Sequence, residues 1–279
     1  MRVIKPSFLR LHGLSPLEWY RDFLVCLLFF TRLPLPKFMT TTIAEKPDFS
    51  RAAKSWPLLG IFLAFLSLIP GSLIVLYRGD FGYDMTLAFI SVALLILISG
   101  ALHEDGLGDV ADGFWGGSTV SRKLEIMKDS RIGAFGVVAL IMSIGLRVTI
   151  LAQLIEFFGY WAAGAAFIAA SAGSRASAVR VWAILSPARQ DGLSANLGLP
   201  TQGTMVQSMV FACGIIFIFI IGTMGPLSAI TAVLAMFVSS WAFGQVALHH
   251  IGGHTGDVLG GTQIISEIAI LLAILIFSA

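Results

Sequence analysis

Apolar residues run along this chain in long blocks, broken by short polar turns and a few longer polar connections. A transmembrane helix needs about 20 largely apolar residues. Seven stretches approach or exceed that length: approximately Trp56–Tyr77, Met85–Leu102, Ala134–Phe157, Trp161–Leu185, Met205–Gly222, Pro226–Leu248 and Gln263–Ala279. The last carries Glu267, which must lie near an end or face protein. An earlier apolar segment, Leu17–Phe30, is too short to span comfortably and has Trp19, Tyr20, Arg21 and Asp22 on its leading edge. It reads as an interfacial or re-entrant helix. The pattern therefore predicts an all-α fold, a polytopic transmembrane helix bundle of about seven spans plus that N-terminal element. It forms a single integral membrane domain over residues 1–279.

Composition agrees. The chain is 57% hydrophobic and 12% charged, against about 25% charged residues in a soluble domain. Lipid must solvate the excess apolar surface. Cys26 and Cys213 sit in apolar runs without metal or disulfide spacing, so both read as inert buried thiols. No cleaved signal is expected, because the short run Phe23–Phe30 passes into Thr31–Pro36 without a small-residue cleavage site.

Lysine and arginine placement sets the expected orientation. Residues 1–55 hold nine, the connection 103–133 holds four (Arg122, Lys123, Lys128 and Arg131) and 186–204 holds Arg189. The turns on the opposite face hold only Arg78, and Arg147, Arg175 and Arg180 fall inside expected spans. Seven alternating passes bring every basic segment to one face. That face is expected to be the cytoplasmic side of a bacterial plasma (inner) membrane, with the N-terminus and the motif-bearing loops on it. Long loops on a rigid scaffold tend to carry function, and the long connections 103–133, 186–204 and 249–262 share this face.

The candidate chemistry begins in the run HEDGLGDVADGFWGG at 103–117. Asp105, Asp109 and Asp112 stand at i, i+4 and i+7 and share one helix face. Carboxylates so close repel one another unless a cation lies between them. Oxygen ligands without cysteine or clustered histidine favour magnesium, which keeps waters and bridges to phosphates. Glu104 joins the three aspartates as a metal-ligand candidate. The alternative, a solvated acidic helix end, is weakened because charge beside lipid-buried segments is costly. The following run RKLEIMKDSRIGAFG at 122–136 sets cations beside the acids. Arg122 and Lys123 read as ordinary interfacial anchors, whereas Lys128-Asp129-Ser130-Arg131 reads as functional, since Asp129 lies between two cations.

Arg147 is expected to face the bundle interior, and Arg175 to meet either a buried partner or a substrate phosphate. Arg180 is expected to snorkel to the interface. His250 and His254 have a zinc-like spacing, but Gly252 and Gly253 interrupt any helix between them.

The two runs HEDGLGDVADGFWGG and RKLEIMKDSRIGAFG closely resemble the signature of the cobalamin synthase (adenosylcobinamide-GDP ribazoletransferase) family. FFTRLPLP, WPLLGIFLA, GSRASAV, ARQDGLSA and HTGDVLGGTQIISE resemble further family landmarks in the family order. Gly108, Val110 and the QDGL run depart from the commoner residues without touching a carboxylate. The resemblance implies a magnesium-using membrane transferase of the coenzyme B12 nucleotide-loop pathway. It would join α-ribazole, or its 5′-phosphate, to adenosylcobinamide-GDP, releasing GMP. On that reading magnesium held by Asp105, Asp109 and Asp112 meets the diphosphate, and Lys128 and Arg131 neutralise its charge. An aspartate or His103 accepts a ribose hydroxyl proton, Asp129 joins the catalytic candidates, and Arg175 and Asp257 contact substrate or metal. A surface site suits assembly with copies of itself or with neighbouring pathway enzymes; no nucleic-acid partner is expected.

Two other classes compete. CDP-alcohol phosphotransferases and aspartate-rich membrane prenyltransferases share the logic of metal and diphosphate. The first place an arginine where this chain has Leu107-Gly108, and the second require another aspartate cluster. A transporter would draw on the polytopic topology and Arg147. However, the aspartates lie at a helix end rather than mid-membrane, and no internal repeat is visible.

Overall fold

The computed structural model describes residues 15–34, 36, 39, 47–79, 82–189 and 197–278. The basic residues Arg2, Lys5, Arg10, Lys37 and Lys46 and the QDGLSA run at 190–195 lie outside them. The described residues form helices and no strand; one isolated parallel bridge joins Pro187 to His254. In chain order they are α1 (Pro16–Phe30), α2 (Phe49–Ala52), α3 (Trp56–Arg78), α4 (Asp84–Ser99) and α5 (Leu102–Gly116). There follow α6 (Val120–Ile126), α7 (Ala134–Ile184), α8 (Gln202–Met224), α9 (Pro226–Ile251) and α10 (Gly256–Phe277). A 3-10 turn, Ala53–Ser55, runs α2 into α3. Proline stands in the first turn of α1, α3 and α9, where its missing N–H costs nothing. Thr201 and Thr255 cap α8 and α10, accepting from the Thr204 and Val258 amides at 3.1 and 3.2 Å.

Five helices are long and apolar enough to cross a bilayer, or six if the bent pair α4–α5 counts as one crossing. Hydropathy predicts about seven, and the difference sits at two places. The expected passes Ala134–Phe157 and Trp161–Leu185 both fall in the 51-residue α7, which breaks at Gly159 (φ 79°, ψ 162°). A straight helix of that length would measure about 75 Å, far more than the ~30 Å bilayer core. Arg147 and Arg175, on opposite sides of the break, both act on Glu267, so the two halves lie alongside one another. The second place is α4, which stops at Ser99, short of the expected Leu102. Gly100 (φ 65°) and Ala101 (φ 56°) are both left-handed there, and α5 leaves at 87°. Left-handed backbone at Ala101 costs roughly 1–2 kcal/mol, so surrounding packing must hold this corner.

That packing centres on α7, which touches α3, α4, α5, α8, α9 and α10. Its second half is lined with buried Ala163, Gly164, Ala166, Ala169, Ala170, Ala172 and Gly173. Small residues let helices approach closely where lipid supplies no hydrophobic drive between them. A Cβ at Gly60 of α3 would collide with the Ser171 carbonyl. Large apolar residues such as Phe65, Leu73, Ile141, Ile218 and Leu234 point outward, as a lipid-facing surface requires.

Inside this apolar bundle lies a group of buried charges. Arg147 donates to Glu104 at 2.8 Å and lies 3.7 Å from Glu267. All three are nearly inaccessible, with side-chain exposures of 1%, 7% and 0%. Arg175 is buried beside them, bonded to the Ser171 carbonyl and hydroxyl. Glu267 therefore faces protein rather than lying at an end, because α10 begins at Gly256, ahead of the expected Gln263. The group joins α5, α7 and α10. Arg147→Met is expected to destabilise the fold by about 3–5 kcal/mol, since two carboxylates lose their cation. Denaturation in mixed detergent measures this, and the triple change Arg147→Met, Glu104→Met, Glu267→Met should recover part of the loss. An Arg147→Met protein as stable as the unmodified one would show that the ion group does not hold α5.

Candidate functional site

α5 carries the acidic run, and its neighbours decide what each carboxylate does. With Glu104 turned inward to Arg147, the next residue, Asp105, projects about 100° further round the helix and is exposed. Asp109 follows one turn on and is half-buried. α5 crosses the start of α10 at very close range. A Cβ at Gly106 would meet the Asp257 backbone at 2.9 Å, and one at Gly260 would meet His103 at 3.3 Å. This crossing brings Asp257 to the acidic face: Asp109 feels the like charges of Asp257, Asp105 and Asp112, opposed by the Arg189 cation.

Arg189 is held by the loop between α9 and α10. The Ala188 amide donates to the His254 carbonyl and the His254 amide to the Ser186 carbonyl, both at 2.9 Å. Gly253 sits against the Ser186 carbonyl where no Cβ would fit. The bridge sets the Arg189 guanidinium 3.6 Å from the Asp257 carboxylate, which also accepts from the Thr255 hydroxyl at 3.1 Å.

A cavity of about 170 Å³ opens beside these groups. His103, Asp105, Arg189 and Asp257 line it together with Phe30, Trp56, Trp182 and Gln263. Asp105 is exposed and Asp257 and Arg189 partly so, whereas Trp56 and Trp182 are 7% and 1% exposed. The charged end is thus the mouth and the aromatic end is the interior. The rings pack as a continuous wall: Trp56 stacks on Trp182 at 5.3 Å, Phe30 meets Trp56 edge-on at 4.8 Å, and His103 stacks on Phe30 at 5.8 Å.

The acidic residues expected from sequence to act together are divided among tasks. Asp105 and Asp109 are brought to the mouth region with Asp257. Asp112 is buried and caps α7, accepting from the Gly133 amide at 2.6 Å and the Gly136 amide at 2.9 Å. A side chain on either glycine would collide with its carboxylate. Glu104 is committed to Arg147. Asp129 lies in the turn after α6, where hydrogen bonds from Arg131 hold its carboxyl down at about 2. Arg131 is 87% exposed in that pair, Lys128 is exposed, and neither lines the cavity. Arg175 lies with the buried ion group. Lys123 contacts the His250 ring nitrogen at 3.0 Å, and that ring stacks on Phe114 at 4.6 Å. His254 is fully buried beyond the left-handed Gly252, so His250 and His254 share no helix face. Burial pushes the His254 ring down to about 4, leaving it neutral at neutral pH.

Among the described residues no group of three or more His, Cys, Asp and Glu is drawn tightly enough to hold a metal by itself. The donor set nonetheless suits magnesium, which needs only one or two carboxylates beside waters and substrate phosphates. Sequence reasoning missed Arg189, Gln263, Trp56 and Trp182 as site residues. Arg189 was visible only as one more basic residue, and the tryptophans as ordinary apolar positions within expected spans.

The chain matches the cobalamin-5-phosphate synthase family over residues 22–275. A protein of Sinorhizobium medicae named adenosylcobinamide-GDP ribazoletransferase is 36% identical over 260 residues, covering 92% of this chain and 97% of the relative. A protein of the same name from Mesorhizobium japonicum is 38% identical over 265 residues, covering 93% and 94%. No solved structure matches. The match spans the acidic run, the Arg189 segment and the HTGD loop alike, and the chain belongs to the cobalamin-5-phosphate synthase family.

Proposed function

We propose that the protein joins α-ribazole, or its 5′-phosphate, to adenosylcobinamide-GDP, giving adenosylcobalamin, or its 5′-phosphate, and GMP. One observation carries this reading: Asp105 and the Asp257–Arg189 pair line the mouth of one aromatic cavity, with Asp109 beside them. Carboxylates that crowd one another call for a cation, and a cation beside a guanidinium is what a diphosphate requires. Asp105, Asp109 and Asp257 would hold magnesium, which when bound neutralises charge on the diphosphate. Asp257 thus takes the place that sequence spacing gave to Asp112.

The residues themselves do the positioning. Arg189, which lines the cavity beside Asp257, offers its guanidinium charge to the phosphate oxygens. A ribose hydroxyl oxygen forms the new bond to the phosphorus nearer the cobinamide. The bond from that phosphorus to the bridging oxygen breaks, GMP departs with the oxygen, and the hydroxyl proton passes to a carboxylate of the group. Lys128 and Arg131 belong to the protein surface, where they attract the polyanionic substrate. The membrane passes number seven on this reading, α7 supplying two. The N-terminus and the motif loops face the cytoplasm of a bacterial inner membrane, in agreement with the lysine and arginine bias. Assembly with copies of itself or with neighbouring pathway enzymes at that surface is part of the same proposal.

The experiment is GMP release from adenosylcobinamide-GDP by the detergent-purified protein, with and without α-ribazole and with and without magnesium. Release that needs both is expected; release without ribazole, or none from folded protein, would overturn the reading. Asp105→Asn, Asp109→Asn and Asp257→Asn should each lower kcat by about 100-fold or more, as loss of transition-state charge stabilisation does, and raise the magnesium needed for half-maximal rate. Asp112→Asn should separate from them. It strands an amide at the start of α7, so it should cost about 1–2 kcal/mol of stability while leaving the magnesium requirement unchanged. A magnesium shift in Asp112→Asn equal to that in Asp109→Asn would return Asp112 to the metal group.

A further inference from the structure

We propose that the aromatic interior of the cavity seats the flat base of α-ribazole, so that the ribose reaches the carboxylates at the mouth; this rests on the transferase reading above. Of the flat bases the substrates carry, the adenine is held on the corrinoid away from the diphosphate, whereas the guanine and the benzimidazole both lie near the reacting phosphates, and the cavity wall distinguishes these two. Trp56 and Trp182 both line it, stacked on one another at 5.3 Å. Phe29, Phe30 and Phe49 supply apolar ring surface on the same cavity. A wall of apolar rings fits a ligand that is flat and mostly apolar.

A benzimidazole riboside has that character. Ribose occupies one ring nitrogen, the other keeps a lone pair, and the ring carries no N–H. Guanine carries polar groups on both of its edges, O6, N1–H and the exocyclic amine on one and N7 on the other, and an apolar ring wall would strip water from most of them without a partner to replace it. Gln263, 3% exposed on the same wall, adds an amide that can donate to the ring nitrogen. The polarity of the cavity sets the direction of the ligand. A base held among Trp56, Trp182 and Gln263 leaves its sugar toward Asp105, Asp257 and Arg189, where the diphosphate of the second substrate is bound. The buried end thus recognises the nucleophile's base, and the exposed end holds the reacting groups.

Ala178 lines the cavity and is 1% exposed, so a larger side chain there fills the space without removing a polar group. Ala178→Leu is expected to raise the KM for α-ribazole about tenfold, roughly 1.4 kcal/mol of lost binding. The KM for adenosylcobinamide-GDP should change less than about twofold. Trp182→Phe, which takes away part of the ring surface of the wall, should raise the α-ribazole KM several-fold in the same one-sided manner.

Because either variant can misfold, the unmodified protein is titrated in parallel without magnesium. α-Ribazole alone should quench tryptophan fluorescence saturably, and GMP alone should not. Quenching by GMP, or a rise confined to the KM for adenosylcobinamide-GDP, would assign the cavity to guanine and overturn the proposal. Quenching by neither, with normal turnover, would also overturn it while leaving the transferase reading intact. Quenching by α-ribazole in a protein that releases no GMP would keep the pocket and sink the transferase reading.

Discussion

Glu104, Arg147 and Glu267 lie in the middle of an apolar bundle, where an unpaired charge costs several kcal/mol and a paired one is tolerated only in good geometry. The group is therefore a constraint before it is a source of stability. Arg147 stands on the first half of α7, Glu104 on the first turn of α5 and Glu267 midway along α10. None of these helices can slide or turn about its axis without exposing a buried charge to apolar surroundings. α5 needs such a constraint. It carries Gly106, Gly108 and Gly113 in its interior, each costing about 1 kcal/mol against alanine, and it leaves α4 through a strained left-handed alanine. Left to its own propensity, this segment would be a poor helix.

The same constraint fixes the site. Successive helical residues differ by about 100°, so an inward Glu104 turns Asp105 toward solvent and carries Asp109 round with it. At the other end of α5, Asp112 accepts the first amides of α7. One acidic run is thus read in three directions: a core ion pair, a helix cap, and a pair of carboxylates left free for chemistry. The third carboxylate comes from α10, delivered by a close helix crossing in which a Cβ at Gly106 would meet the Asp257 backbone at 2.9 Å. Close packing is the common feature: α5 is pinned at Glu104 by Arg147, at Gly106 by the α10 backbone and at Asp112 by the start of α7.

Much of the fold was legible in the sequence, because lipid leaves apolar runs few options. The helical membrane bundle follows from block length alone, and the inward placement of Arg147 from the cost of charge in hydrocarbon; for Glu267 the same cost left two places open, a helix end or a protein-facing position. The corner at Gly100-Ala101 was not legible, since alanine in a left-handed conformation has no local signature. The site was half legible. Periodicity put Asp105, Asp109 and Asp112 on one face, but a face does not reveal what packs against it. Asp112 meets a helix start and Asp105 meets a cavity, although both obey the same spacing. Asp257 and Arg189 could be joined to the acidic run only through contacts distant in sequence. The Ser186–His254 bridge that positions Arg189 leaves no pattern in either segment.

The aromatic wall shows why the cavity sits where it does. Trp56, Trp182 and Phe30 pack against one another into one apolar surface, which gains by being covered with a flat apolar ring. Such a gain is selective: a base with several polar groups loses water there without a partner to replace it. The mouth works by the converse rule. Its carboxylates repel one another, so the charged end gains when positive charge joins it. Each half of the cavity is therefore incomplete in a different chemical sense. The two deficits, one for a flat apolar partner and one for positive charge, differ as the base and the charged diphosphate of the proposed reaction differ.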